Sequence, residues 1–124
     1  MAFADPQSVT IAGNAKSLPR ILSEGSHSVY QMSDLTFSLD IKHRTVVRDK
    51  KRRVVSLAVL TQRKVVPDPL TSVNDYETLS TSGQIDRPEA GYTETETIDQ
   101  WTGFHGWLSA GTNANLKKLY GRES

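Results

Sequence analysis

Three histidines, His27, His43 and His105, are the side chains of this chain that could exchange protons near neutral pH. They are scattered, and no two stand at the spacing of a metal-binding pair. A core, surface or nucleic-acid-facing role suits each better than ligation. Cysteine is absent, which removes the disulfide scaffold, the thiolate zinc site, the iron-sulfur cluster and the cysteine nucleophile together. No nucleophile elbow, phosphate loop or HExxH motif occurs. Glu94, Glu96 and Asp99 have the composition of an acid-base or calcium cluster, but carboxylates at a helix start answer to the positive end of its dipole. Trp101, Phe104 and Trp107 could line a ligand pocket; at helical spacing, core and dimer packing accounts for them more simply. The residue types therefore predict no catalysis, no small-molecule substrate, no cofactor and no metal site, with structural calcium left open.

The chemistry on offer is electrostatic. Fifteen Lys and Arg nearly balance fourteen Asp and Glu, for a net charge of +1, yet the charges are sorted along the chain. Lys42 to Lys64 holds nine basic residues (Lys42, Arg44, Arg48, Lys50, Lys51, Arg52, Arg53, Arg63 and Lys64) and one acid, Asp49, a net +8. Asp75 to Asp99 holds seven acids and one base, Arg87, a net −6. A dense positive stretch suits a polyanion on one surface, because each neutralised phosphate releases condensed counterions. A solubilising charged hairpin is the other reading of the same residues. At 124 residues and 36% hydrophobic, the chain is about one domain with one core. No apolar run approaches the roughly 20 residues that cross a bilayer, and Met1 to Ser8 has neither the basic start nor the apolar stretch of a signal peptide. A soluble protein, made and used in a cytosol, is expected.

The elements that display these charges follow from periodicity. Ser8-Val9-Thr10-Ile11-Ala12 alternates, Gly13-Asn14 supplies a turn, and Ser17 to Leu22 runs extended with Pro19 inside it. Residues 8–22 thus read as an N-terminal hairpin whose second strand lies at an edge. Ser28 to Met32 forms a short strand. Leu35, Phe37, Leu39 and Ile41 then alternate with Thr36, Ser38, Asp40, Lys42 and Arg44, the pattern of a strand with one apolar and one wet face. Arg48-Asp49-Lys50-Lys51-Arg52 interrupts, and a second long strand runs from Arg53 to about Val65. Val55, Leu57 and Val59 are assigned to its core face and Ser56, Ala58, Leu60, Gln62 and Lys64 to the other. Pro67-Asp68-Pro69 ends this hairpin with its basic tip. Asp75 to Gln84 reads as the last strand, with Tyr76, Thr78, Ser80 and Ser82 on one side, before Gly83, Pro88 and Gly91 break the pattern. Thr93 and Glu96 have capping-box spacing, and Ile98, Trp101, Phe104 and Leu108 recur at helical steps, so a helix runs from about Glu94 to Ala110. Gly111 ends it, and Asn113 starts a short second helix through Leu116, Leu119 and Tyr120. The expectation is an α+β fold in a single domain over 1–124: the hairpin over 8–22, an antiparallel β-meander sheet over 28–87 and two C-terminal helices over 93–120.

Size then demands a partner. Strands of about 12 residues at roughly 3.3 Å per residue are close to ~40 Å long, whereas a helix of about 17 residues is about 25 Å long and about 10 Å wide. One such helix leaves much of the sheet's apolar face open. An interlocked homodimer with a continuous sheet, each subunit's helices lying over the other's strands, would cover it. Ile98, Trp101, Phe104, Trp107, Leu108, Leu116 and Leu119 are the residues this arrangement would place at the dimer interface.

This order of elements resembles the coat proteins of single-stranded RNA bacteriophages, the levivirus family. The residues that carry the likeness are Ser8-Val9-Thr10-Ile11-Ala12-Gly13 through Arg20-Ile21, the Leu35 to Arg44 and Arg53 to Val65 pair, and the ending Leu116-Lys117-Lys118-Leu119-Tyr120-Gly121-Arg122-Glu123-Ser124. It covers nearly the whole chain and rests on element order, since no short motif is diagnostic. The resemblance implies a virion protein, assembled in the bacterial host cytoplasm, whose homodimers build an icosahedral T=3 capsid without contact with a membrane. It also implies packaging of single-stranded genomic RNA and binding of an RNA hairpin that represses translation of the replicase. The RNA-binding face it implies is Thr36, Ser38, Lys42 and Arg44 on one strand, Ser56 and Gln62 on the next, and Tyr76, Thr78 and Ser80 on the last, beside the basic tip Lys50, Lys51, Arg52 and Arg53. Tyr76 stands where family members often stack a tyrosine on an unpaired base. Asp40 is unfavourable beside phosphate unless it pairs with Lys42, Arg44 or a metal ion. A dimeric non-viral nucleic-acid-binding regulator would share the basic hairpin and paired helices. A small RNA-processing enzyme would need an acid or histidine cluster on the basic face.

The charge pattern makes a first prediction. Reversing Lys50, Lys51 and Arg52 together weakens binding to all RNAs alike and flattens its salt dependence, because phosphate contacts carry little sequence information. Binding titrations over a range of salt check this; an unchanged slope places the tip outside the RNA surface.

Overall fold

The computed structural model describes residues 5–67 and 74–123, together with Phe3 and Leu70. They fall into two compact units, one ending at Arg87 and the other beginning at Pro88. In the first, β1 (Gln7–Ile11) and β2 (Asn14–Leu18) form a two-stranded hairpin. Ile11 pairs with Asn14, so the turn residues are Ala12 and Gly13, at φ 52° and 81°. Positive φ at both central positions makes the mirror-image turn whose twist matches the flanking strands, and Gly13 takes its share without a Cβ clash. The hairpin is shorter than the expected 8–22. Pro19 has no N–H for a ladder, so the extended run divides there: β2 ends at Leu18, and β3 (Arg20–Glu24) enters a different sheet. The Pro19 carbonyl accepts a hydrogen bond from Gln31 N at 3.0 Å, which ties the junction to the next strand.

The main sheet has five strands in sequence order: β3, β4 (His27–Gln31), β5 (Phe37–Arg48), β6 (Lys51–Pro67) and β7 (Asn74–Pro88). It therefore begins at Arg20 rather than 28. Leu35, expected to open the apolar row of β5, lies in the turn before it at φ 64°, its N–H donating to Met32 O at 3.0 Å while Met32 N donates to Phe37 O at 3.0 Å. β7 runs through Gly83 to Pro88, beyond the expected end at Gln84. β6 ends at Pro67 as expected; Asp68 and Pro69 lie outside the described residues.

β5 and β6 differ from expectation in a single respect with wide effect. Arg48 pairs with Lys51, so the turn is the two residues Asp49 and Lys50, at φ 54° and 62°, and not the five residues from Arg48 to Arg52. A five-residue loop would pair Val47 with Arg53; the observed partner of Val47 is Arg52. A slip of one residue moves every side chain of a strand to the other face. Val55, Leu57 and Val59, assigned to the core face, accordingly stand opposite Arg44, Lys42 and Asp40, and Ser56, Ala58, Leu60 and Gln62 share the face of His43, Ile41, Leu39 and Phe37.

The principal core joins the two sheets. Leu18, Tyr30, Phe37 and Ile41 are buried together, with Val9, Ile11, Met32 and Leu39 packed against them. Val9 and Ile11 come from the alternation of β1 and Phe37, Leu39 and Ile41 from that of β5, while Leu18 is supplied by β2 and Tyr30 by β4. Tyr30 is wholly buried, and its hydroxyl accepts from Arg20 Nε at 3.2 Å and Nη2 at 3.0 Å, so the ring is dry while the oxygen is satisfied.

In the second unit, the C-terminal helical region α1 (Glu94–Tyr120) is interrupted by non-helical backbone from Ala110 to Asn113, where the sequence predicts one helix to end and the next to begin. Thr93 caps it as the sequence predicts, its hydroxyl accepting from Glu96 N at 3.1 Å. The helix is kinked: Ala110 is extended, and Gly111, Thr112 and Asn113 have φ of 64°, 59° and 64°. Gly111 takes the left-handed conformation that commonly stops a helix, and Asn115 Nδ2 donates to the Trp107 carbonyl at 2.7 Å, satisfying an acceptor that the break would orphan. None of its side chains is buried.

The tip turn yields a stability prediction. A non-glycine residue in the left-handed region costs about 1 to 2 kcal/mol, and Asn-Gly is the preferred pair for this turn. The double change Asp49→Asn, Lys50→Gly should stabilise the fold by about 1 kcal/mol, read as a raised denaturation midpoint with unchanged slope.

Candidate nucleic-acid interface

Cross-strand partners share a face, so the register sorts the basic hairpin into two surfaces. Ser38, Lys42 and Arg44 stand opposite Thr61, Leu57 and Val55. Three contacts extend this face onto β7: Thr61 Oγ1 lies 3.3 Å from Ser80 Oγ, Arg53 Nε donates to Asp86 Oδ1 at 2.8 Å, and the Arg63 guanidinium lies 3.7 Å from the Tyr76 ring centroid. Alternation adds Thr78. Of the residues expected to form one RNA face, Ser38, Lys42, Arg44, Tyr76, Thr78 and Ser80 come together. Ser56 and Gln62 do not; both lie on the opposite face, where Ser56 Oγ is 2.9 Å from His43 Nδ1. Thr36 precedes β5, its hydroxyl donating to Asp34 Oδ1 at 2.6 Å. At the tip, Lys50 is in the turn, and Lys51 and Arg52 alternate between the two faces.

Thr61 and Arg63 belong to the first face and lie outside the expected set, because the expected five-residue turn puts their strand one residue out of register. Once Arg48 is paired with Lys51, simple alternation finds them.

Carboxylates trim the positive field of this face. Asp40 Oδ1 is 2.8 Å from His27 Nε2 and its Oδ2 is 3.9 Å from Lys42 Nζ, so the awkward acid is paired from two sides. Asp86 takes Arg53 at 2.8 Å and Arg48 at 3.2 Å, and Arg53 Nη2 also donates to the Asp86 carbonyl at 3.2 Å. The Arg53 hydrogen bond first, then the charges of Arg53 and Arg48, hold the Asp86 carboxyl below its ordinary value of 3.8. Arg44, Lys51 and Arg63 are exposed cations on the same face. Val55, only 2% exposed, stands apart from the main core beneath this polar layer, where its partner Arg44 can lay an aliphatic stem.

A cleft of about 600 Å3 opens where Thr36, the Gln62–Val65 segment of β6 and Tyr76 meet, with Lys16 and Asp34 on its walls. It gathers Thr36, Gln62 and Tyr76 from the expected set. Tyr76 is 56% exposed and therefore not a core residue. Lys16 gave no signal in the sequence, being a lone lysine on the N-terminal hairpin. Asp34 accepts from the Thr36 hydroxyl and N–H, which lowers its pKa. Among the described residues no three His, Asp or Glu side chains converge as a metal site would require.

The residues expected at a dimer interface all lie on α1. Ile98, Phe104, Trp107, Leu116 and Leu119 are exposed, while Trp101 and Leu108 are half-buried. Trp101 stacks on His105 with centroids 3.9 Å apart, Phe104 meets His105 edge-on at 5.4 Å, and Phe104 and Trp107 are 6.1 Å apart. This aromatic row occupies a quarter of the way along the helix and on to its middle.

Comparison with known proteins places this geometry. The family model of the phage phiCb5 coat protein matches residues 4–81. No curated protein matches the chain by sequence. Among solved structures, the chain is similar to the virus-like particle of bacteriophage AVE019 at TM-score 0.75 and 14% identity, over 98% of both chains. It is also similar to the virus-like particle of Beihai levi-like virus 21 (TM-score 0.65, 13% identity, 96% of this chain and 94% of that one) and to that of bacteriophage AVE015 (0.61, 11%, 98% and 88%). At such low identity these likenesses establish a shared fold.

The Asp86 clamp has a pH dependence whose sign is set by its lowered pKa. Its contribution to stability is complete above the ordinary carboxylate value and is lost as pH falls through the lower folded value. Asp86→Asn should lower stability near neutral pH, with the gap to wild type closing in strong acid, as followed by urea denaturation at a series of pH values.

Proposed function

The chain belongs to the phiCb5 phage coat-protein family, and on that premise we propose that it dimerises, assembles into an icosahedral shell and packages single-stranded RNA against the Lys42, Arg44 and Tyr76 face of its sheet. Cationic side chains beside an exposed aromatic ring on one polar surface are the single observation that carries the RNA reading. Lysine and arginine bind phosphate whatever the sequence, and a ring offers any unpaired base a stacking surface. Capture of an RNA hairpin as a translational repressor would use the same surface, with Tyr76, Thr78 and Ser80 reading unpaired bases.

The dimer reading has two supports. The half-exposed aromatic and aliphatic row of α1 asks for cover. β7, fifteen residues long, ends the strand order of the five-stranded sheet, so its outer edge can pair with the same strand of a second copy and make a continuous sheet. Two-fold pairing of this kind is isologous and closes on itself, leaving other surfaces for shell contacts. The neighbours' virus-like particles support assembly, for which a T=3 shell is the expected size.

Expression of the chain alone tests the reading. Electron micrographs should show hollow isometric particles with nucleic-acid absorbance, and RNA-binding dimers that never form shells would favour a non-viral regulator instead. Trp101→Ala should cost about 3 to 5 kcal/mol, as truncation of a packed tryptophan does, and abolish soluble dimer in sedimentation. Wild-type assembly yield and melting temperature in that variant would remove the helix from the interface.

A further inference from the structure

Arg63 changes what Tyr76 can offer a ligand. The guanidinium carbon sits over the ring, 3.7 Å from its centroid, so one face of the tyrosine is already covered. A base arriving on that side meets a planar cation backed by an aromatic ring, and guanidinium planes stack on bases much as rings do. Both side chains are exposed and both border the cleft. Three cations, Lys16, Arg63 and Lys64, face it against one carboxylate, Asp34, whose Oδ1 is engaged by the Thr36 hydroxyl at 2.6 Å and N–H at 3.1 Å. Lys16 is held at the cleft wall, its ammonium 5.5 Å from the centroid of the Phe37 ring. Gln62 lies on the other face of β6, where the ladder to β5 ends, and lines the cleft with an amide that can both donate and accept. A volume of about 600 Å3 is in the range of pockets that hold small ligands.

We propose that this cleft is a nucleotide subsite, in which one base of single-stranded RNA stacks on the outer plane of Arg63 while Lys64 and Lys16 meet the adjoining phosphates. It rests on the RNA-binding reading above and assigns the stacking platform to the arginine, with Tyr76 as its backing. An acidic peptide would satisfy the lysines but has no flat face for the Arg63–Tyr76 pair, which is why RNA is the occupant of choice.

The test uses the full chain and a short fluorescent single-stranded RNA, compared with the same strand made abasic and with an acidic peptide. Arg63→Lys keeps the charge and removes the plane. It should weaken the intact strand by about tenfold and leave the abasic strand nearly unchanged, whereas Lys64→Ala should weaken both strands equally and reduce the salt slope by about 0.7. Arg63→Lys with wild-type affinity for the intact strand would overturn the proposal, as would equal competition by the acidic peptide. Particles that carry RNA while ignoring Arg63→Lys would overturn this subsite alone; wild-type protein that binds no RNA would overturn the RNA-binding reading with it.

Discussion

The register of one hairpin governs which side chains of this protein can act together. Because Asp49 and Lys50 alone make the turn, Arg48 faces Lys51, and the pairing fixes that even-numbered residues of β5 share a face with odd-numbered residues of β6. Lys42 and Arg44 are thereby aligned with Thr61 and Arg63 instead of with Ser56 and Gln62. One more or one fewer residue in the turn would exchange the two faces of β6 and break up the polar surface. The strain of two non-glycine residues at positive φ is borne by the long ladder that follows the turn, from Arg48–Lys51 to Phe37–Gln62.

On the surface so defined, charge is tempered as well as concentrated. Arg48 and Arg53 are held by Asp86, and Lys42 shares Asp40 with His27. These pairs are partly exposed and contribute little stability individually. Their effect is on the field: the cations that remain open, Arg44, Lys51 and Arg63, lie next to hydroxyls and the Tyr76 ring. A surface that combines fewer free charges with flat and hydrogen-bonding groups can discriminate unpaired bases, where a uniformly basic one would bind any polyanion. The apolar residues Val55, Leu57 and Val59 lie among the polar side chains of that face, Val55 buried and the other two half-buried.

The helical unit illustrates a different economy. A capped helix start, an internal break sealed by Asn115 and a Gly121 N–H that returns to Lys117 O at 3.0 Å satisfy the backbone locally. None of its tryptophans and leucines is fully buried. Backbone order here is thus a property of the chain, while most of the apolar row stays at its surface.

Local signals were legible wherever a residue's own chemistry dictates its backbone. Alternation from Phe37 to Ile41, the cap at Thr93 and the helix-ending Gly111 act through hydrogen bonds and torsions within a few residues, and the sequence alone determined them. The order of elements likewise carries the likeness to the coat-protein family. What only the tertiary structure decided was parity. β6 is apolar on both sides, Val54, Ala58 and Leu60 on one and Val55, Leu57 and Val59 on the other, so hydrophobic periodicity favours neither face. The choice falls to a turn whose residues, Asp49 and Lys50, do not announce a left-handed pair as Asn-Gly would. The structure takes the two-residue turn, and the ladder from Arg48–Lys51 to Phe37–Gln62 carries that parity along the whole of β5. Arg63, Thr61 and Lys16 reached the candidate site for the same reason: side chains distant in sequence become neighbours only when a register, a long-range property of two strands, has been chosen.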